Sequence, residues 1–102
     1  MTELTSSQRS FLKSQAHHLG PVVYVGKKGL SEELVEAVDE ALDAHELIKI
    51  KFNEHKREKR EIVAALVKQT GSVQVGLIGN VAILFRQQAE EEKRKIQLPQ
   101  NE

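Results

Sequence analysis

The chain contains no cysteine, which excludes disulfides, thiolate nucleophiles and cysteine-based zinc sites together. It has no tryptophan, and its only aromatic residues are Phe11, Tyr24, Phe52 and Phe85. Each of these lies within an apolar pattern that assigns it to the core. An exposed stacking platform is therefore not expected, and a polyanionic partner would be held through its phosphates and shape rather than by base readout. Histidine is sparse too. His17, His18, His45 and His55 lack the spacing of a metal-binding helix, and no Ser/His/Asp order stands out. The reading is of a non-enzyme with no catalytic residue, metal, cofactor or small-molecule substrate.

Long apolar runs are also missing. The longest, VAILF at 81–85, is far too short to span a bilayer. The opening MTELTSSQRS has neither the basic nor the apolar segment of a signal peptide. A cytoplasmic protein without membrane contact is expected, and nothing in the pattern requires more than a monomer.

What is present is enough for one globular domain. At 102 residues the chain can close one modest core but not two. The balanced net charge hides a segregated one. Residues 1–30 carry four Lys/Arg against one acid, and residues 31–46 carry seven acids and no Lys/Arg. Residues 47–70 then carry seven bases against three acids. One basic face and one acidic face are the simplest arrangement of such blocks.

The elements follow from caps and periodicity. TSSQ at 5–8 has capping-box spacing, and the helix after it turns Phe11, Leu12, Ala16 and Leu19 to one side before Gly20-Pro21 stops it. VVYV at 22–25 reads as a buried strand. Ser31 caps a second helix with an apolar stripe of Leu34, Val35, Val38, Ala41 and Leu42, its acids lying largely on the solvent side. Along 47–53, Ile48, Ile50 and Phe52 alternate with Lys49 and Lys51. A polar connection leads to a third helix burying Ile62, Val63 and Leu66 and ending near Gly71. SVQVGLI and VAILFR then form a hairpin around Gly79-Asn80. The order is α-β-α-β-α-β-β, an α/β fold with a mixed four-stranded sheet packed with helices. Residues 1–87 form the domain, and 88–102 form a polar C-terminal tail.

Gly26-Lys27-Lys28-Gly29 stands at the joint between the first strand and the second helix. Glycines there let a ligand approach the backbone, and backbone N–H groups ahead of a helix suit a phosphate. The loop is neither a Walker A motif nor a dinucleotide fingerprint, but Gly-x-x-Gly does match the loop that clamps nucleic-acid backbone in KH domains. An ordinary tight turn with exposed lysines fits the same four residues. Arg9, Lys13 and His17, at i, i+4 and i+8, make a basic ridge on the first helix, and Lys49 and Lys51 make a second strip on the sheet.

Several pieces together resemble the CRM domain of the stand-alone YhbY family. They are SQRSFLKSQAHHLGPVV, the Gly26-x-x-Gly29-Leu30 loop, HELIKIK at 45–51, IGNVAILFR at 78–86 and KIQLP at 95–99. Phe85 stands where that family often has tyrosine, and Gly76 where it often has glutamine. The resemblance implies a fold related to the C-terminal domain of bacterial translation initiation factor three. It also implies RNA binding, with precursors of the large ribosomal subunit as partner and ribosome assembly as the setting. Carried onto this chain, the RNA-contacting set is Gly26, Lys27, Lys28 and Gly29, with Arg9, Lys13, His17, Lys49, Lys51 and Arg86. The alternative is a protein-interaction module that docks on a ribosomal or stress-response protein by charge complementarity, through the acidic helix.

Overall fold

A computed structural model describes residues 3–99; the outermost residues of the expected domain and tail, 1–2 and 100–102, lie outside the described residues. Thr5 caps helix α1 (Ser6–Ala16) through a reciprocal box: its hydroxyl accepts from the Gln8 amide at 3.0 Å, and the Gln8 side chain accepts from the Thr5 amide at 3.1 Å. The helix stops short of Gly20. The His17 amide is shared between the Lys13 and Ser14 carbonyls, which tightens the last turn. Leu19, expected on the buried side, is consequently 40% exposed.

Strand β1 (Val23–Val25) is followed by α2 (Glu32–His45), β2 (Leu47–Phe52), a 3-10 turn (Lys56–Glu58) and α3 (Lys59–Thr70). The hairpin β3 (Val73–Ile78) and β4 (Val81–Phe85) and a second 3-10 turn (Glu91–Lys93) complete the chain. The sheet order is β1-β2-β4-β3, with β1 parallel to β2 and the other pairs antiparallel. This is the mixed four-stranded sheet that the element order predicts. Gly79, with φ of 58°, takes the first central position of the hairpin turn, where a type II′ turn places glycine. Gly71, with φ of 70°, ends α3 in the left-handed conformation.

Alternation divides the core between the two sheet faces. On one face Val23, Val25, Ile48, Ile50, Phe52, Ala82 and Leu84 pack against α2 and α3, chiefly on Val38, Leu42, Val63 and Leu66. On the other, Leu47, Val75, Ile83 and Phe85 meet Leu12 and Ala16 of α1. Each of the buried Val, Leu, Ile and Phe side chains among these contributes about 1.5–3 kcal/mol. Phe85 is among them, so a tyrosine hydroxyl at this position would face the core rather than a ligand.

The seventh acid of the acidic block departs from the expected solvated face. Glu46 follows α2 with φ of 65° and is fully buried. Its carboxylate accepts from the amides of Gln88 at 2.7 Å, Lys95 at 2.7 Å and Ile96 at 2.9 Å. The segment after Arg86 is thereby held on the domain, with Ile96 and Leu98 against the α1 side of the core. Among the described residues no helix is long and apolar enough to cross a membrane.

Candidate nucleic-acid interface

Because β1 and β2 are parallel, the loops that leave them lie side by side at one end of the sheet. The amides of Asn53 and Glu54 both donate to the Val25 carbonyl, at 3.1 and 3.2 Å, and tie the two loops together. The first loop is a β-turn: the Gly29 amide donates to the Gly26 carbonyl at 3.0 Å, with Lys27 and Lys28 at its centre. Neither lysine has a positive φ. Their own amides find no acceptor among the described residues, so the turn offers two donors and two ammonium groups to whatever approaches it.

The two glycines do different work. Gly29 has φ of 62°, and a Cβ there would sit 3.1 Å from Cδ2 and 3.2 Å from Nε2 of His55. Gly26 has no such need: a Cβ there would meet nothing within 4 Å, and its φ is outside the left-handed range. The fold demands glycine at 29 and leaves 26 open to solvent.

His55 is a residue that the sequence reading missed. It occupies the left-handed region with φ of 55°, which costs a residue with a side chain about 1–2 kcal/mol. In that conformation its Nε2–H donates to the Lys27 carbonyl at 2.6 Å while the ring covers Gly29. The imidazole is a brace for the lysine turn. Lys56 and Arg57 follow it on the same loop, both exposed, and add cations that the expected set lacked. The signal available for all three was the parallel pairing of the first two strands, which brings their exit loops together.

Acids border the same turn. Ser31 caps α2 by accepting from the Leu34 amide at 3.1 Å, and Glu33 reaches back to Lys28 at 3.3 Å. Both groups of that pair are well exposed, so it is loose and exchangeable. A groove of about 900 Å³ runs from the turn between β1 and α2, and Glu33 and Glu40 line it. The acidic helix thus starts beside the loop and does not simply face away from it.

On the other side of β1 the charge reverses. Lys13, His17 and Lys49 are brought together around a smaller pocket on the α1 face of the sheet. Lys51 is one row further along the same face. Lys13 lies across Gly76, whose missing Cβ leaves room for it: a Cβ would stand 3.2 Å from the Lys13 Cε. Arg9, nearer the start of α1, donates to the Gln74 carbonyl at 2.6 Å and so joins the ridge with part of its guanidinium engaged.

Arg86 is a correction. Its guanidinium is turned to the acidic helix, 2.6 Å from an Asp39 carboxylate oxygen and 2.9 Å from one of Asp43, and it donates to the Thr70 carbonyl at 2.8 Å. With its side chain only 20% exposed, it ties β4 to α2 and α3 instead of joining the basic surface. His45, at the end of α2, is exposed. Tyr24, expected in the core, is 54% exposed, because β1 is an edge strand and its alternate residue points away from α2. Among the described residues no three His, Asp or Glu side chains are grouped to hold a metal.

Comparison with known proteins identifies the kind of domain. The family model for the CRS1 / YhbY (CRM) domain matches residues 4–86. A Haemophilus influenzae protein named "RNA-binding protein" is 44% identical over 97% of this chain and 98% of its own length. A Bacillus subtilis protein, "Probable RNA-binding protein YqeI", is 39% identical over 94% of this chain and 99% of its own. The solution structure of a hypothetical protein from Staphylococcus aureus superposes with a TM-score of 0.78 at 32% identity, covering 95% of this chain and 100% of that one.

Proposed function

The chain belongs to the CRS1 / YhbY (CRM) family, and from that premise we propose that it is a non-enzymatic RNA-binding protein whose grip is the Gly26–Gly29 turn. The observation that carries this reading is Gly26: the fold leaves the position open, while a sugar-phosphate chain approaching the two free amides beside it needs the missing side chain. Lys27 and Lys28 supply the ion pairs, and His55 holds the turn in place. Lys13, His17, Lys49 and Lys51 extend the footprint over the α1 face of the sheet. Relatives named for RNA binding support the choice of polyanion.

The ligand is precursor ribosomal RNA of the large subunit, bound during assembly, as the family resemblance implies; the protein that binds it is a cytoplasmic monomer, in keeping with a sequence that has no signal-peptide pattern and requires no partner copy. Docking on a protein through the acidic helix is the weaker alternative, since Asp39 and Asp43 are already engaged by Arg86. Cross-linking the protein to RNA in cell extract and sequencing the attached fragments tests the assignment. Enrichment of large-subunit precursor fragments is expected. Fragments distributed like total cellular RNA would refute the ribosomal assignment.

A further inference from the structure

Tyr24 is a large ring left half open to solvent in the middle of a strand. On the sheet face that α1 covers only in part, register places it beside Lys51, which in turn stands opposite Val81, itself opposite Ile78. Val22 and Ile78 are likewise exposed, at 48% and 65%. The next row holds Lys49, Ile83 and Gly76. Here lies a pocket of about 270 Å³, walled by Lys13, His17 and Lys49 and floored by Ile78, Val81 and Ile83. An apolar floor ringed by three cationic or protonatable side chains suits a ligand that is flat and apolar in one part and anionic in another. Unpaired nucleotides have that chemistry. A regular duplex does not, because its bases are stacked inside.

Charge sets the direction of travel. From the lysine turn, a phosphate chain that entered the groove between β1 and α2 would meet Glu33 and Glu40. Tyr24, two residues before Gly26 and so roughly 7 Å along an extended strand, stands at the edge of that groove, and a chain that crosses it onto the sheet meets Lys51 and then Lys49 instead of the acids. We infer that the exposed α1-side face of the sheet is a second contact site that takes unpaired RNA bases, with Tyr24 as the stacking surface and Lys13, Lys49 and Lys51 on the flanking phosphates. This rests on the RNA-binding reading and sharpens it to single-stranded segments.

The chain has one tyrosine and no tryptophan, so its intrinsic emission reports Tyr24 alone. Three probes separate the contributions: a short oligouridylate, an abasic ribose-phosphate oligomer of the same length, and an RNA duplex of equal phosphate count. Saturable quenching of Tyr24 by the oligouridylate, and not by the abasic oligomer, is expected. Tyr24→Ser should lower oligouridylate affinity about tenfold, the scale of one base–aromatic stack, and leave the other two affinities within about twofold. Tyr24→Phe should retain wild-type affinity for all three. Since the side chain is exposed, both variants keep the core intact. Oligouridylate bound equally well by wild type and Tyr24→Ser, or bound with no change in emission, would overturn the inference while leaving RNA binding through the turn in place. If none of the three probes bound with salt-dependent affinity, the RNA reading itself would fall and this inference with it.

Discussion

Alanine substitutions at the two glycines of the turn should have opposite consequences, and their sizes follow from the local geometry. At Gly29 an L side chain must hold φ near 62°, a cost of about 1–2 kcal/mol. Its Cβ also falls 3.1 Å from the His55 ring. The imidazole must give way, and its hydrogen bond to the Lys27 carbonyl, worth about 0.5–1.5 kcal/mol, weakens or breaks. Gly29→Ala should therefore destabilise the domain by about 2–3 kcal/mol. For a domain of this size that lowers the melting temperature by about 8–24 °C. Gly26→Ala meets open space, and by restricting the unfolded chain it should be neutral or stabilising by about 0.4–1 kcal/mol. Its effect belongs to binding. A methyl group that keeps a phosphate from one amide removes a charge-assisted hydrogen bond, about 1.5–3 kcal/mol, or tenfold and more in affinity. Thermal melts followed by circular dichroism, with RNA titrations on the same samples, separate the two. Equal melting temperatures for the two variants would refute the division of labour between the glycines, as would RNA affinity untouched by Gly26→Ala.

Three further outcomes follow. His55→Ala should weaken RNA binding and loosen the turn, seen as broadened amide resonances at Lys27 and Lys28, although the imidazole contacts no ligand itself; sharp, unshifted resonances would show that it is no brace. Glu46→Ala removes the acceptor of three backbone amides and should cost about 2–3 kcal/mol, with hydrogen exchange accelerated at Gln88, Lys95 and Ile96; unchanged exchange at those amides would count against the clamp. Arg86→Ala should destabilise the domain by about 1–3 kcal/mol through the loss of charged hydrogen bonds, without altering the salt dependence of RNA binding; a flatter dependence would return Arg86 to the interface.

Much of the fold was legible because local chemistry and tertiary packing agree. The Thr5 and Ser31 caps, the alternation of Ile48, Ile50 and Phe52, and the Gly79-Asn80 turn each act within a few residues, and each forms as expected. What could not be read depends on partners far along the chain. Glu46 looks like one more solvated acid until residues 88–96 return to it. Arg86 reads as a surface cation until α2 is packed beside β4. VVYV looks uniformly apolar, and only the position of β1 at the sheet edge separates buried Val23 and Val25 from open Tyr24. His55 was harder to single out, because its ring meets Gly29 and the Lys27 carbonyl only once the parallel pairing of β1 and β2 sets their exit loops side by side. In the candidate site, the residues on one helix face or one strand face grouped as their spacing implied. The bracing residue and the aromatic one emerged only from three-dimensional placement.

The central claim is that Lys27 and Lys28 meet phosphate at the turn, and the salt dependence of binding tests it most directly. With four to six phosphates neutralised, the wild-type protein on single-stranded RNA should show a slope of about −3 to −4 in log affinity against log salt concentration. The double substitution Lys27→Ala, Lys28→Ala removes two of those contacts and should flatten the slope by about 1.4. Unchanged slope and affinity in a folded double variant would place the RNA elsewhere on the molecule.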